Sequence, residues 1–162
     1  MIMETETNQK ISVDTFYDLI QPLIKQPIQQ AKLGYGSFLQ LGFGALKLRK
    51  TKKRTFENYE WLIWVYGSSW CIEVNEIFIV GSEDSSEKIQ FYLNSLSHRE
   101  LLEIYVSPTT LNLTIKIETG IVINCFSDHK EDMEHWFLYM PDSKVIVAGP
   151  KDQFVYERSD QT

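Results

Sequence analysis

The feature that most constrains this fold is an order of predicted elements that occurs twice along the chain. One apolar strand opens at Trp61 and another at Trp136, each after a polar residue. Both follow two hairpin-linked strands that end at a glycine, Gly44 or Gly120, and both precede two further short strands. The pattern predicts two tandem units of one helix and five strands. Chance similarity among aromatic antiparallel strands is the alternative.

A helix is predicted at the start of each unit. Asp14 is the expected N-cap of the first helix, which Pro22 should kink or end early, and Ser85 or Ser86 is the expected N-cap of the second. With about nine to eleven short strands, these helices predict an α+β fold in which two related antiparallel sheets pack through their aromatic faces.

The expected domain organisation is a single globular domain. Residues 1–10 are predicted to be a flexible N-terminal tail, residues 11–81 the first α+β unit, residues 82–157 the second unit packed on the first, and residues 158–162 a C-terminal tail. The 162 residues include 21 aromatic ones, nine Phe, eight Tyr and four Trp. Such a chain can form a core without a disulfide or a metal, and no cofactor is predicted.

Charge and cysteine content favour a cytoplasmic location. The formal net charge is −6, and no apolar run approaches the roughly 20 residues that span a bilayer. The segment Met1 to Lys10 is polar and acidic rather than a signal peptide. Cys71 and Cys125 form no Cys-x-x-Cys pair, and we expect both to be reduced thiols in the core.

A basic run is the sharpest charge feature of the sequence. It is predicted to occupy a hairpin loop and, as a candidate site for an anionic partner, contains Lys47, Arg49, Lys50, Lys52, Lys53 and Arg54. A solvated loop that protects a sheet edge is the alternative. Nucleic acid is not favoured, because only Phe56 and Tyr59 lie nearby for base stacking and the rest of the chain is acidic.

An acidic loop, residues 127–135, is predicted at the corresponding place in the second unit. His129, Asp132 and His135 are three residues apart there and would share one face of a helical turn, as the ligands of a metal site would. Such a site could activate water for hydrolysis. A solvated loop, charge pairing with the basic run and a homodimer contact are the alternatives.

The strand that opens at Trp61 is apolar on both faces. Alternation places Trp61, Ile63 and Val65 on one face and Leu62, Trp64 and Tyr66 on the other. A central strand covered on both sides would explain this pattern. The alternative is a ligand cleft or protein interface that carries Trp64, Tyr66 and Trp70.

The chain resembles a family of small uncharacterised bacterial proteins. The resemblance covers about residues 11–157 and is carried by the run from Gly34 to Gly44, the run from Trp61 to Glu73, and Gly120, Trp136, Pro141, Asp142, Gly149 and Pro150. Such families often look like immunity proteins. The resemblance implies no catalytic residue.

These features predict a non-enzymatic, cytoplasmic protein-binding module. An acidic body suits an immunity-like inhibitor of a basic partner protein. A metal-dependent or small-molecule enzyme that uses residues 127–135 is the first alternative. A binder of anionic surfaces or nucleic acid through residues 47–54 is the second.

Overall fold

The protein folds as two antiparallel sheets and two short helices. The computed structural model describes residues 9–34, 38–50, 53–66, 68–127, 133–150 and 153–158. Helix α1 spans Val13–Leu19 and helix α2 spans Ser86–Leu93. The strands are β1 Gln9–Lys10, β2 Ile28–Leu33, β3 Leu39–Lys50, β4 Thr55–Val65, β5 Ser68–Val74, β6 Ile77–Gly81, β7 Leu101–Val106, β8 Leu113–Ile117, β9 Ile121–Ser127, β10 Trp136–Met140, β11 Lys144–Ala148 and β12 Phe154–Arg158.

The two sheets share one apolar core. The seven-stranded sheet has the order β1-β12-β11-β10-β4-β3-β2, and the five-stranded sheet has the order β6-β5-β9-β8-β7. Inward-facing side chains of both sheets, such as Leu41, Trp136 and Ile123, belong to the same buried cluster. Phe16 of α1 joins this cluster through contacts with Trp136 and Phe154. The expected β-rich α+β fold is confirmed.

Serine residues cap both helices. The Ser12 hydroxyl accepts a hydrogen bond from the Thr15 N–H, so Ser12 is the N-cap of α1 and the prediction of Asp14 is wrong. Ser85 caps α2 in the same way, as expected. Pro22 lies in a 3₁₀ turn after α1, where a missing N–H is tolerated.

Matching hydrogen bonds link the starts of β2 and β7. The Lys25 N–H donates to the Leu101 carbonyl at 2.7 Å, and the His98 N–H donates to the Ile28 carbonyl at 2.7 Å. Lys25 and His98 both have a positive φ, 79° and 71°. These contacts join the two halves of the chain at the starts of their first long strands.

A side chain from each helix hydrogen-bonds to an edge strand in the other half of the chain. The Tyr17 hydroxyl oxygen accepts a hydrogen bond from the Val106 N–H. The Gln90 amide accepts from the Leu33 N–H and donates to the Ala31 carbonyl. Because Tyr17 and Gln90 stand at the same place in their helices, each half of the chain caps one edge strand.

Each sheet combines strands from both halves of the chain. Strands β2–β4 and β10–β12 meet in one sheet, and β7–β9 and β5–β6 meet in the other. The strand of Trp61 and the strand of Trp136 are therefore hydrogen-bonded neighbours, with Trp136 opposite Val65. Strand β9 lies between Gly120 and Trp136, so when strands are counted from each helix, β4 of the first half corresponds to β9 of the second half and not to β10.

Part of the predicted N-terminal tail is ordered into the sheet. Gln9 and Lys10 form β1 and pair with Tyr156 and Val155 of β12, whereas residues 1–8 and 159–162 lie outside the described residues. Within the described ranges, no helix is long and apolar enough to cross a membrane.

Candidate functional site

A bulge divides the β3–β4 hairpin into two parts. The register of the two strands shifts between Phe43 and Leu46, and Gly44 adopts a φ of 84°, a conformation that glycine tolerates best. Glu60 fixes the bulge because its Oε1 accepts from the Ala45 N–H at 2.9 Å. The hydrogen bond from Ala45 lowers the pKa of Glu60 most, and a hydrogen bond from the Lys47 side chain lowers it further.

Beyond the bulge, the hairpin continues as a projection that we call the arm, residues 46–50 and 53–59. Lys47, Arg49 and Lys50 lie on β3 in this arm. The prediction that the basic run occupies a loop is therefore wrong for these three residues. Strand pairing continues as far as Lys50 opposite Thr55, because the hairpin is longer than the hydrophobic pattern indicated.

Arg49 is an internal bridge between strands. Its Nη2 donates to the carbonyls of Tyr59 and Glu60 at 2.6 Å each, and its Nη1 donates to the Met140 carbonyl at 3.3 Å. Its Cζ lies 5.6 Å from the centroid of the Tyr139 ring. Burial lowers the pKa of Arg49 and raises that of Tyr139, and each group partly opposes the shift of the other.

The other cations of the run have different surroundings. Lys47 pairs with Glu60, with 3.1 Å between Nζ and Oε2. Lys50, Lys53 and Arg54 are exposed, and the Arg54 guanidinium lies 4.9 Å from the centroid of the Phe56 ring. Lys52 lies outside the described residues. The run is thus not one uniform cationic patch.

Five rings in mutual contact cover the outer face of the seven-stranded sheet. We call this set the aromatic face; it consists of Phe38, Trp64, Tyr66, Phe137 and Tyr139. Trp64 lies at its centre because Gln40 and Phe137 stand opposite it on the neighbouring strands. The Trp64 and Phe137 rings are stacked with their centroids 5.2 Å apart.

The aromatic face is only partly covered. All five rings are half-buried, whereas Trp61, Ile63 and Val65 on the opposite side of β4 are buried. Trp64 and Tyr66 thus lie together as expected of a cleft or interface. Trp70 does not join them: it is only 2% exposed, in the core between the sheets. It faces inward because β5 belongs to the other sheet.

A cleft of about 410 Å³ lies between the arm and the outer face of the sheet. The residues that line it from the sheet side are Lys32, Phe38, Gln40, Leu62, Trp64 and Tyr139, and those from the arm are Arg49, Arg54, Phe56, Glu57 and Asn58. Among these described residues, three cations and one carboxylate lie beside the aromatic rings. The volume lies within the usual range of ligand pockets.

Two buried donors of this cleft lack an acceptor. They are Nε of Arg49 and Nε1 of Trp64, neither of which has a hydrogen-bond partner among the described residues. A buried donor without an acceptor destabilises a protein by about 1–3 kcal/mol. By contrast, Nε1 of the core residue Trp136 donates to the Leu111 carbonyl at 3.0 Å. Both donor atoms are almost fully buried, so an acceptor reaches them only after neighbouring side chains rearrange.

The predicted metal ligands are only partly described. His129 and Asp132 lie outside the described residues. His135 is 1% exposed, and its carbonyl accepts from the Tyr66 N–H and the Ser68 hydroxyl. Among the described residues, no group of three or more His, Cys, Asp and Glu side chains could hold a metal ion.

The two cysteines are free. Cys125 is buried in the core, and Cys71 is half-buried on the other face of the same sheet, next to Asn124. Burial raises the pKa of both thiols, which disfavours thiolate chemistry at either.

Sequence reasoning missed three members of the aromatic face. Phe137 and Tyr139 alternate along β10 as Trp64 and Tyr66 do along β4 and its end, so the alternation was a usable signal. Their meeting could not be foreseen, because it depends on β10 pairing with β4. Phe38 precedes β3 and shows no such pattern.

Comparison with protein-family models, with curated proteins and with solved structures found no match for this chain. The geometry of the site therefore carries the argument about function.

Proposed function

We propose that this protein is a non-enzymatic binding module that engages a partner protein through its aromatic face and cleft. The observation that carries the proposal is the half-covered set of five rings, beside which Arg49 and Arg54 line a cleft. Tryptophan, tyrosine and arginine are the residues enriched at the energetic centres of protein interfaces. A contiguous apolar patch on an outer surface commonly marks an interaction site.

The arm supports this proposal because it is an addition to an otherwise repeated framework. In the first half, β3 and β4 extend beyond the bulge to form the arm, whereas β8 and β9 are joined by the short turn Glu118 to Gly120. We propose that the two halves are tandem units, as the matching contacts of Tyr17 and Gln90 suggest. On this proposal, the arm is an extension of the hairpin in the first unit that the second unit lacks between β8 and β9.

The local charge favours an acidic partner segment. Among the described residues, Lys32, Arg49 and Arg54 line the cleft together with one carboxylate, Glu57. The immunity-like hypothesis with a basic partner is supported by the net charge of −6 rather than by this cleft. A cytoplasmic location is part of the same proposal, since two free thiols suit a reducing compartment.

The other hypotheses have less structural support. A hydrolytic metal site depends on His129 and Asp132, which lie outside the described residues. A nucleic-acid site depends on the basic run, yet Lys47 and Arg49 are engaged within the chain. Neither hypothesis has a described cluster of side chains to support it.

A capture experiment tests the proposal. Tagged protein is incubated with a lysate of the source organism at low and at raised salt, and captured proteins are identified by mass spectrometry. We expect one protein partner that Trp64→Ala and Phe137→Ala each reduce at least tenfold. The matched control is Phe126→Ala, which removes a ring 45% exposed on β9 of the other sheet and should leave capture unchanged. Circular dichroism confirms that each variant is folded.

Equal capture by all folded variants would contradict the proposal. Loss of capture in the Phe126→Ala control alone would move the interface to the other sheet and would also contradict it.

A further inference from the structure

We infer that the cleft binds an extended acidic segment of the partner protein, placing one aromatic or apolar side chain against Trp64 and a neighbouring carboxylate near Lys32 and Arg54. This inference rests on the proposed function and adds the chemistry of the partner. Three features of the site support it: its excess of positive charge, its unpartnered donors and the extent of its aromatic surface.

The charge of the cleft is opposite to that of the whole chain. The described residues that line it include three cations, Lys32, Arg49 and Arg54, and one carboxylate, Glu57, although the chain carries a net charge of −6. Lys32 forms no ion pair with any described residue. A locally cationic groove in an acidic protein suits a short acidic segment and disfavours a long polyanion, which the surrounding carboxylates would repel.

Two donors of residues that line the cleft lack an acceptor among the described residues. Arg49 uses Nη1 and Nη2 on three backbone carbonyls, which fixes its guanidinium and leaves Nε unpartnered. Trp64 Nε1, on the sheet side of the cleft, is the second unpartnered donor, and both donor atoms are buried in this structure. Carboxylate and main-chain carbonyl oxygens of a bound segment are acceptors of the required kind, and those that bond to charged donors form the stronger hydrogen bonds.

The aromatic surface extends past the cleft. Phe38, Trp64 and Tyr139 line the cleft, whereas Tyr66 and Phe137 continue the same ring cluster outside it. A small molecule would cover only the first group. A segment in extended conformation covers both, because every second side chain points toward the surface on which the segment lies.

Peptide titration by NMR tests this inference on the full chain. The probe is an acetylated, amidated octapeptide of serine and glycine that carries phenylalanine and aspartate two positions apart. We expect it to shift the indole N–H resonance of Trp64, assigned with Trp64→Phe. The Trp136 indole, already bonded to Leu111 in the core, should not shift. The same peptide with lysine in place of aspartate should bind at least tenfold more weakly.

Substitutions of single exposed cations identify the side chains that bind the peptide, and they leave the apolar core unchanged. Lys32→Gln and Arg54→Gln should each weaken binding of the acidic peptide about tenfold, as expected for the loss of one charge-assisted contact. Lys50→Gln is the matched control, because Lys50 is an exposed cation of the arm that does not line the cleft. It should change the affinity less than twofold.

Several results would overturn the inference. They are equal shifts with the lysine peptide, equal loss in the Lys50→Gln control, or no shift of Trp64 at millimolar acidic peptide. A shift with free benzoate that the peptide does not reproduce would assign the cleft to a small anion instead. If the capture experiment still depends on Trp64 and Phe137 in these cases, the proposed function stands and only the partner chemistry is wrong.

Discussion

Arg49 joins β3, β4 and β10 through hydrogen bonds to three backbone carbonyls. Its guanidinium lies beside the Tyr139 ring and is half-buried beneath the arm. Fixed in this way, Arg49 supports the wall of the cleft and holds the arm near the aromatic face. Its neighbour Lys50 carries the same charge on the same strand but is exposed. Substitutions of the two residues therefore distinguish the effect of a buried, hydrogen-bonded side chain from the effect of positive charge.

Replacing Arg49 should destabilise the protein more than replacing Lys50. Arg49→Met keeps an apolar stem but removes the hydrogen bonds to Tyr59, Glu60 and Met140, and we expect the free energy of unfolding to fall by about 1–3 kcal/mol. Lys50→Met should change it by less than about 0.5 kcal/mol. Urea unfolding of both variants measures the difference. Equal effects would show that Arg49 does not support the arm.

Glu60 should make stability depend on pH. Its pKa is lowered in the folded protein by the hydrogen bond from Ala45 and the pairing with Lys47. The ionised carboxylate therefore stabilises the fold at pH values above the ordinary glutamate pKa, and this contribution is lost as the pH falls through the lowered pKa. The difference in unfolding free energy between wild type and Glu60→Gln should be larger at pH 7 than at pH 3. A difference that does not change with pH would contradict this.

At the scale of elements, the arm distinguishes the seven-stranded sheet from the other, whereas each sheet has one edge strand that a helix side chain caps. The bulge at Gly44 redirects the hairpin so that cations from the arm line a cleft above the sheet. The edge strands β2 and β7 are each satisfied by a helix side chain, Gln90 or Tyr17. The capped edges leave the aromatic face as the more accessible surface for a partner.

Each of the two edge caps should contribute to stability. Tyr17→Phe and Gln90→Met each leave a strand-edge N–H without its side-chain partner, and each should lower the free energy of unfolding by about 1 kcal/mol. Tyr105→Phe is the control, because Tyr105 is 50% exposed on β7 and should be nearly neutral. Thermal unfolding of the three variants measures these effects. A neutral result for either cap would show that its hydrogen bond is not important for the edge.

The amount of structure that could be predicted from sequence differs between elements. Ser85, Pro22 and the apolar strands give local signals, and these predicted the second helix, the end of the first and most of the sheet. The length of β3 was missed because Lys47 to Lys50 carry charges where an alternating apolar pattern would be expected. Trp70 was misplaced because its direction depends on the sheet that β5 joins.

At the scale of the molecule, the exchange of hairpins makes each half depend on the other. The β5–β6 hairpin of the first half pairs with β9, and the β10–β11 hairpin of the second half pairs with β4. Both sheets would lose their central pairing if the halves were separated. The candidate site depends on the same exchange, because Phe137 and Tyr139 reach the aromatic face on β10.

We expect a single cooperative unfolding transition and no independent folding of either half. The fragment of residues 9–81 should lack a cooperative thermal transition, since its β4 and β5 have lost β10 and β9. Mixing it with the fragment of residues 82–158 should restore sheet structure. Circular dichroism of each fragment and of the mixture measures this. Cooperative unfolding of one fragment alone would contradict the account of the fold.

Photo-crosslinking in cells of the source organism tests the central claim, partner binding at the aromatic face, most directly. A benzophenone amino acid replaces Phe137 in one variant and Phe126 in another, which places the same probe on the outer faces of the two sheets. The account predicts one crosslinked protein from position 137 and none from position 126. Crosslinking of the same protein from both positions, or from position 126 alone, would contradict it.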